Sequence, residues 1–135
     1  MGEFWENEYV QTAGHYSVVV LCIILFLAIF ELVTKYHNWK EIQQGNISVA
    51  MATGGKIFGI ANIFRYSIDN HDSLLVMVGW GLYGFLLLLV GYFIFEFLTP
   101  KFKIDEEIKR DNRAVGFISL VISVGLSFVI GAGIG

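Results

Sequence analysis

The chain has 135 residues, 56% of them hydrophobic and only 16% charged, where soluble domains carry about 25% charged residues. A single soluble core would leave much of this apolar surface in water, whereas a bilayer accepts it all round each helix. The net charge of -3 is small and no basic patch suggests nucleic acid, and the one cysteine, Cys22, lies in an apolar run and cannot form an internal disulfide.

The chain opens MGEFWENEYV, with Glu3, Glu6 and Glu8 and no basic residue before the first apolar run. That pattern predicts no cleaved signal peptide. Residues 1–15 are expected to be an acidic tail, either disordered or forming a short interfacial helix through Phe4, Trp5 and Tyr9. A hydrocarbon core about 30 Å thick takes about 20 helical residues. Four runs fit: Tyr16 to Leu32, Ile47 to Ile68, Leu74 to Leu98, and Ala114 to Ile134. None alternates with period two, so strands are excluded. The expected fold is an all-α membrane protein of four transmembrane helices.

The end of the first run, Ile29-Phe-Glu31-Leu-Val-Thr34, recurs at the end of the third as Ile94-Phe-Glu96-Phe-Leu-Thr99. After one inserted residue the match continues, Glu41-Ile42-x-x-Gly45-Asn46-x-x-Val49-Ala50 against Glu107-Ile108-x-x-Asp111-Asn112-x-x-Val115-Gly116. Two tandem helical hairpins, 16–68 and 74–134, follow from this. An even number of spans separates them, so they share one orientation about an axis along the membrane normal. Each hairpin carries a short interfacial helix. In the first, Asn38-Trp-Lys-Glu41 has the form of a capping box with Trp39 and Ile42 turned to lipid, Gly45 ends the helix in a left-handed turn, and Asn46 caps the next span. Pro100 stops the third span in the second copy. Asn46 and Asn112 are read either as caps or as a polar ring around the axis.

Lys35 and Lys40 lie between the first two spans, and Lys101, Lys103, Lys109, Arg110 and Arg113 between the last two. Short loops rich in such residues stay cytoplasmic, which puts both termini on the outer face. The second cluster is also a candidate surface for anionic lipid or an acidic protein partner at Lys101, Lys103, Lys109 and Arg110.

The pattern T-x-Y-x-x-W-K-E-I-x-x-G-N-x-x-V-A from Thr34 to Ala50, repeated once, resembles the bacterial membrane proteins grouped as domain of unknown function 350. Asp111 stands where the motif has glycine, so the left-handed turn is expected at Gly45 and stays an open question in the second copy. The resemblance implies a bacterial inner membrane and a four-helix architecture, and no activity.

Small residues let helices approach closely in lipid. The second span offers Gly55 and Gly59 with Ala52 and Asn62, the third Gly81, Gly84 and Gly91, and the fourth Ser119, Ser123, Ser127 and Gly131. These stripes exceed what one hairpin pair needs and point to a homo-oligomer. Lys56 falls about 14 Å along the second span, near the bilayer centre. A lysine there costs at least about 2.5 kcal/mol on insertion scales. Four arrangements would accommodate it: pairing with Glu31 or Glu96, lining a polar path that includes Asn62, loss of its proton, or snorkelling, the last being the weakest at this depth. The position matching Lys56 in the second hairpin is Ile122.

No HExxH, CxxC or glycine-rich phosphate loop is present, and the three histidines are scattered, so neither an enzyme nor a metal or other cofactor is expected. Two readings stand. One is a non-enzymatic, oligomeric scaffold or subunit of a membrane complex. The other is an oligomeric pore or transporter using Lys56 and the polar faces of the second and fourth spans.

Overall fold

The computed structural model describes residues 2–70, 73–98 and 103–134. Met1, His71, Asp72, 99–102 and Gly135 lie outside them, as does the side chain of Trp5; the expectations for Pro100 and Lys101 therefore fall outside the described residues. The order is α1 (Gly2–Glu6), α2 (Glu8–Val33), α3 (Asn38–Gln43), α4 (Ile47–Asn70), α5 (Leu74–Phe97), α6 (Ile104–Lys109) and α7 (Arg113–Ala132). The four long helices are each long and apolar enough to cross a membrane, as expected. One end of the bundle carries α3 and α6, and is the connector end; the opposite end is distal.

The first span departs from expectation at its start. Instead of a tail to residue 15, the helix begins at Glu8, because Asn7 caps it: its Oδ1 accepts the Tyr9 amide at 2.8 Å. At 26 residues and about 1.5 Å each, α2 is longer than the hydrocarbon core is thick.

α4 is the central helix, with over half of its apolar length buried against under a third in each other span. Its partner is α7, which runs parallel to it. A Cβ on Gly55 would stand 2.7 Å from Leu120 Cα, and one on Gly116 would stand 2.7 Å from Ser48 Cα. Farther along, Gly59 meets the Ser123 carbonyl, Asn62 Nδ2 donates to Ser127 Oγ at 3.1 Å, and Gly131 receives the Tyr66 ring. α5 packs antiparallel on α4, with Gly81 against Phe64 and Gly84 against Ile63. The stripes that pointed to a homo-oligomer are thus filled inside one chain.

Two apolar clusters hold the rest. In the larger, Phe26 of α2 stacks on Phe85 of α5 with centroids 4.2 Å apart, and Phe30 meets Phe85 and Tyr92 edge-on at 5.4 and 6.0 Å. The smaller lies at the connector end, where Ile104 and Ile108 of α6 bury fully against Tyr36, Val49 and Ala52.

The connectors correct one local expectation and answer an open question. His37, not Asn38, precedes α3, and its carbonyl accepts the Glu41 amide at 3.0 Å. Asn38 is the first residue of the helix and fully buried, so no capping box forms; Trp39 is exposed while Ile42 packs partly on the smaller cluster. Gly45 takes φ 88°, as expected, and Asp111 takes φ 64°, the same left-handed turn without glycine. Its Oδ1 accepts the Ser48 amide at 2.9 Å, a bond that holds it there.

Gly55→Ala and Gly116→Ala are each expected to lower stability by about 1–3 kcal/mol, since backbone cannot yield as a side chain does. Gly54→Ala, with nothing within 4 Å of the added Cβ, should leave it unchanged. Thermal unfolding of the three variants in detergent measures the difference.

Candidate functional site

Lys56 is 1% exposed and belongs wholly to the protein interior. Helical side chains lean towards the helix N-terminus, so from α4 the lysine reaches towards the connector end. There its Nζ donates to the Tyr36 hydroxyl at 3.1 Å. Three rings surround the ammonium, Phe30 of α2 at 4.8 Å and Tyr36 and Tyr92 of α5 at 5.3 Å each from their centroids. Desolvated cation–ring contacts contribute about 2 kcal/mol. That offsets only part of the cost of burying a charge.

A buried opposite charge is supplied by Asp105 of α6, 2% exposed, which acts on both Lys56 and Tyr36. Its Oδ2 accepts the Lys35 amide at 3.2 Å, while its Oδ1 is buried with no protein partner. Burial pushes the Asp105 carboxyl above the usual carboxylate range, against the pull of Lys56, the Lys35 amide and the Lys35 charge. Burial likewise raises the Tyr36 phenol, helped by the charges of Asp105 and Glu96. Tyr36 is therefore a neutral hydroxyl that accepts from Lys56.

The expected path residues separate. Glu31 does not pair with Lys56; its Oε1 lies 3.0 Å from His37 Nδ1. Asn62 bonds Ser127 on the α7 side, nearer the distal end. Glu96 is partly buried, and its charge acts on Tyr36. Lys56 does not snorkel either: its ammonium stays buried, held by the Tyr36 hydroxyl and the three rings.

The repeated motif forms a clasp between the halves, not a polar ring. Asn46 Oδ1 caps α4 on the Val49 amide at 2.9 Å, while its Nδ2 donates across to the carbonyls of Ile108 and Lys109 at 3.2 and 2.9 Å. Asp111 returns the bond to Ser48. Asn112 caps α7 more loosely, Oδ1 to the Val115 amide at 3.4 Å, and donates to Glu107 at 2.9 Å. Glu41 serves through its carbonyl, which accepts the Asn46 amide at 3.0 Å. Lys103, Lys109 and Arg110 are exposed.

Phe30, Tyr92 and Asp105 were not among the residues the sequence singled out, and Tyr36 entered only as the tyrosine of the motif that begins at Thr34. Asp105 stands first in the acidic run Asp105-Glu106-Glu107, a pattern that gives no sign of burial. One signal was available: with Glu41 matched to Glu107, Asp105 matches Trp39, so Asp105, like Lys56, occurs in one half only.

Lys56→Met and Asp105→Asn each leave the other charge without its counter-charge and are expected to cost about 3 kcal/mol. The double substitution should recover part of that, with a coupling of about 1 kcal/mol in a double-mutant cycle. At Asp111, the Ser48 amide holds the carboxyl below the usual range. Its contribution is present above the ordinary aspartate value and is lost as pH falls through the lowered one. Asp111→Asn should keep most stability and flatten that acid limb, and Asp111→Ala, lacking the bond and ill suited to positive φ, should melt lowest.

The chain is 71% identical over 134 residues to the UPF0719 transmembrane protein YshE of Bacillus subtilis (strain 168), covering 99% of this chain and 100% of that protein. It is 22% identical over 104 residues to the UPF0719 inner membrane protein YjfL of Escherichia coli (strain K12), covering 77% of each. No solved structure matches it. The four apolar helices and these relatives fit a multi-pass inner-membrane protein. A family model matches residues 4–134, nearly the whole chain, and the protein belongs to the family described as Domain of Unknown Function (DUF350).

Proposed function

We propose that the protein is a non-enzymatic subunit of an inner-membrane assembly, self-associating in the bilayer, with its connector end in the cytoplasm and both termini outside. The orientation rests on Lys35, Lys40, Lys103, Lys109, Arg110 and Arg113 at the connector end, against Glu3, Glu6, Glu8 and Asp69 at the distal end. Self-association rests on a distinction among the glycines. Gly55, Gly59, Gly84 and Gly116 are filled by neighbours in the same chain, whereas Gly54, Gly79 and Gly125 are exposed with open space where a Cβ would go. Glycine facing outwards from a membrane helix lets a second backbone approach. The exposed basic side chains at the connector end offer an acidic partner or anionic lipid a place to bind.

A conducting role is the second reading, favoured by the charge and polar atoms buried around Lys56. Against it, the Phe26, Phe64 and Phe85 cluster fills the bundle on the distal side of the lysine.

Native mass spectrometry of the detergent-solubilised protein should give a particle larger than a monomer, and Gly54→Leu with Gly125→Leu should shift it towards monomer without lowering the melting temperature. Sealed liposomes containing the wild type should be electrically silent. Ion flux altered by Lys56→Met would establish the conducting reading, and a monomeric particle would overturn self-association.

A further inference from the structure

We propose that the connector end encloses a hydrated proton-exchange site, with water as its ligand and Lys56, Tyr36 and Asp105 as its titratable walls. It stands whether or not the chain self-associates. Buried polar atoms in folded proteins nearly always have a partner, and where protein supplies none an internal water with two to four polar neighbours does. Here several such atoms lack a protein partner: Asp105 Oδ1, both polar atoms of Asn38, Thr53 Oγ1 and the Tyr92 hydroxyl. Asn38 and Asp105 are 0% and 2% exposed, and Thr53 is 1% exposed.

These atoms belong to one locality. The Tyr92 ring packs on the Lys56 ammonium and the Tyr36 hydroxyl accepts from it; Thr53 lies one turn before Lys56 on α4 and Asn38 follows Tyr36 by two residues; Asp105 Oδ2 accepts the amide of Lys35, next to Tyr36, and the flanking Ile104 and Ile108 share one apolar cluster with Tyr36. They come from four elements, α3, α4, α5 and α6, so no single helix turn can satisfy them internally. Lys56 and Asp105 are not in direct contact: no described carboxylate forms an ion pair with the lysine. Water between them gives both a partner. It also gives the proton a route: it leaves Lys56 Nζ, crosses the bridging water, and is taken by Asp105 Oδ1, turning an ammonium and a carboxylate into an amine and a carboxylic acid with no change in total charge.

The charged and titratable groups on the surrounding elements lie mostly in or beside the connectors. The α2–α3 connector carries Lys35 and Tyr36, with His37 held by Glu31 of α2; α3 carries Lys40 and Glu41, α5 carries Glu96, and α7 carries Arg113, which stands 3.9 Å from Asp111. On α6 itself Glu106 sits 3.6 Å from Lys35 Nζ and Glu107 3.7 Å from Arg110, while Lys109 and the flanking Lys103 are exposed. Burial favours the neutral carboxyl at Asp105, which makes it the group able to receive the proton.

Infrared difference spectroscopy of the full chain in phosphatidylcholine nanodiscs tests this. The wild type should show a protonated-carboxyl band at pH values above the ordinary aspartate range, absent in Asp105→Asn, that shifts within minutes of transfer to D2O. Lys56→Met, which removes the opposing cation, should raise the midpoint of that band by about one pH unit; Lys56→Gln replaces it where the methionine variant does not reconstitute. Tyr36→Phe, which keeps the ring and removes the hydroxyl, should slow the exchange. No such band above the ordinary range, a band unshifted after a day in D2O, or a midpoint indifferent to Lys56 would each overturn the proposal. Exchange in the wild type needs no variant and reads hydration directly.

Discussion

The contact on which the molecule depends is the backbone approach of α4 to α7. At Gly55 and Gly116 the two helices come so close that neither position has room for a Cβ. In lipid no water is released by bringing two apolar helices together, so close packing and hydrogen bonds must supply the association. The pair has both: glycine contacts near the connector end and the Asn62–Ser127 bond further along. Because the helices run parallel, their N-termini arrive together, and so do the connectors that lead into them. α3 and α6 then lie within reach of each other's half, and the exchange of bonds between Asn46 and α6 and between Asp111 and α4 becomes possible.

That juxtaposition explains how a lysine can be buried here. The ring of α5, the ring of α2 and the Tyr36 hydroxyl come from elements packed on α4, but the counter-charge comes from α6, which α4 meets only because α7 brings it there. Ile104 and Ile108 seat α6 in the smaller apolar cluster, and Asp105 is carried inward between them. Without that seat Asp105 would be one of three acids in a solvated turn. The charge and its counter-charge therefore belong to different halves of the chain, and neither half could hold its own ion alone.

Much of the fold was legible in the sequence, for a physical reason. Span length follows from bilayer thickness, and Gly55, Gly59, Gly81, Gly84, Ser119, Ser123 and Ser127 declare close packing by their size. What size cannot declare is the partner, and the same stripes serve a neighbouring helix of one chain or of another. The site was less legible. Lys56 stood out because its cost is local, whereas Asp105 sits in Ile104-Asp-Glu-Glu, a run that reads as an exposed helix start. Burial there depends on the tertiary seat of Ile104 and Ile108. At Asp111 the sequence left the turn open because glycine is its usual sign, whereas the requirement is a left-handed backbone that a short acid can hold through its own hydrogen bond.

The two halves then differ where it matters. The position matching Lys56 is Ile122, and it lines a small enclosed space with Phe95, Ser119, Ser123 and Leu126, bordered by the same Phe30 and Tyr92 that flank the lysine. Matching positions thus meet a shared aromatic wall from two sides, one with a cation and one with an aliphatic chain. A second lysine at 122 would place two like charges across that wall with one buried carboxylate to answer them, and in low dielectric the uncompensated charge is the costly state. A single Lys56 with a single Asp105 is the arrangement in which the bundle interior holds equal and opposite charge.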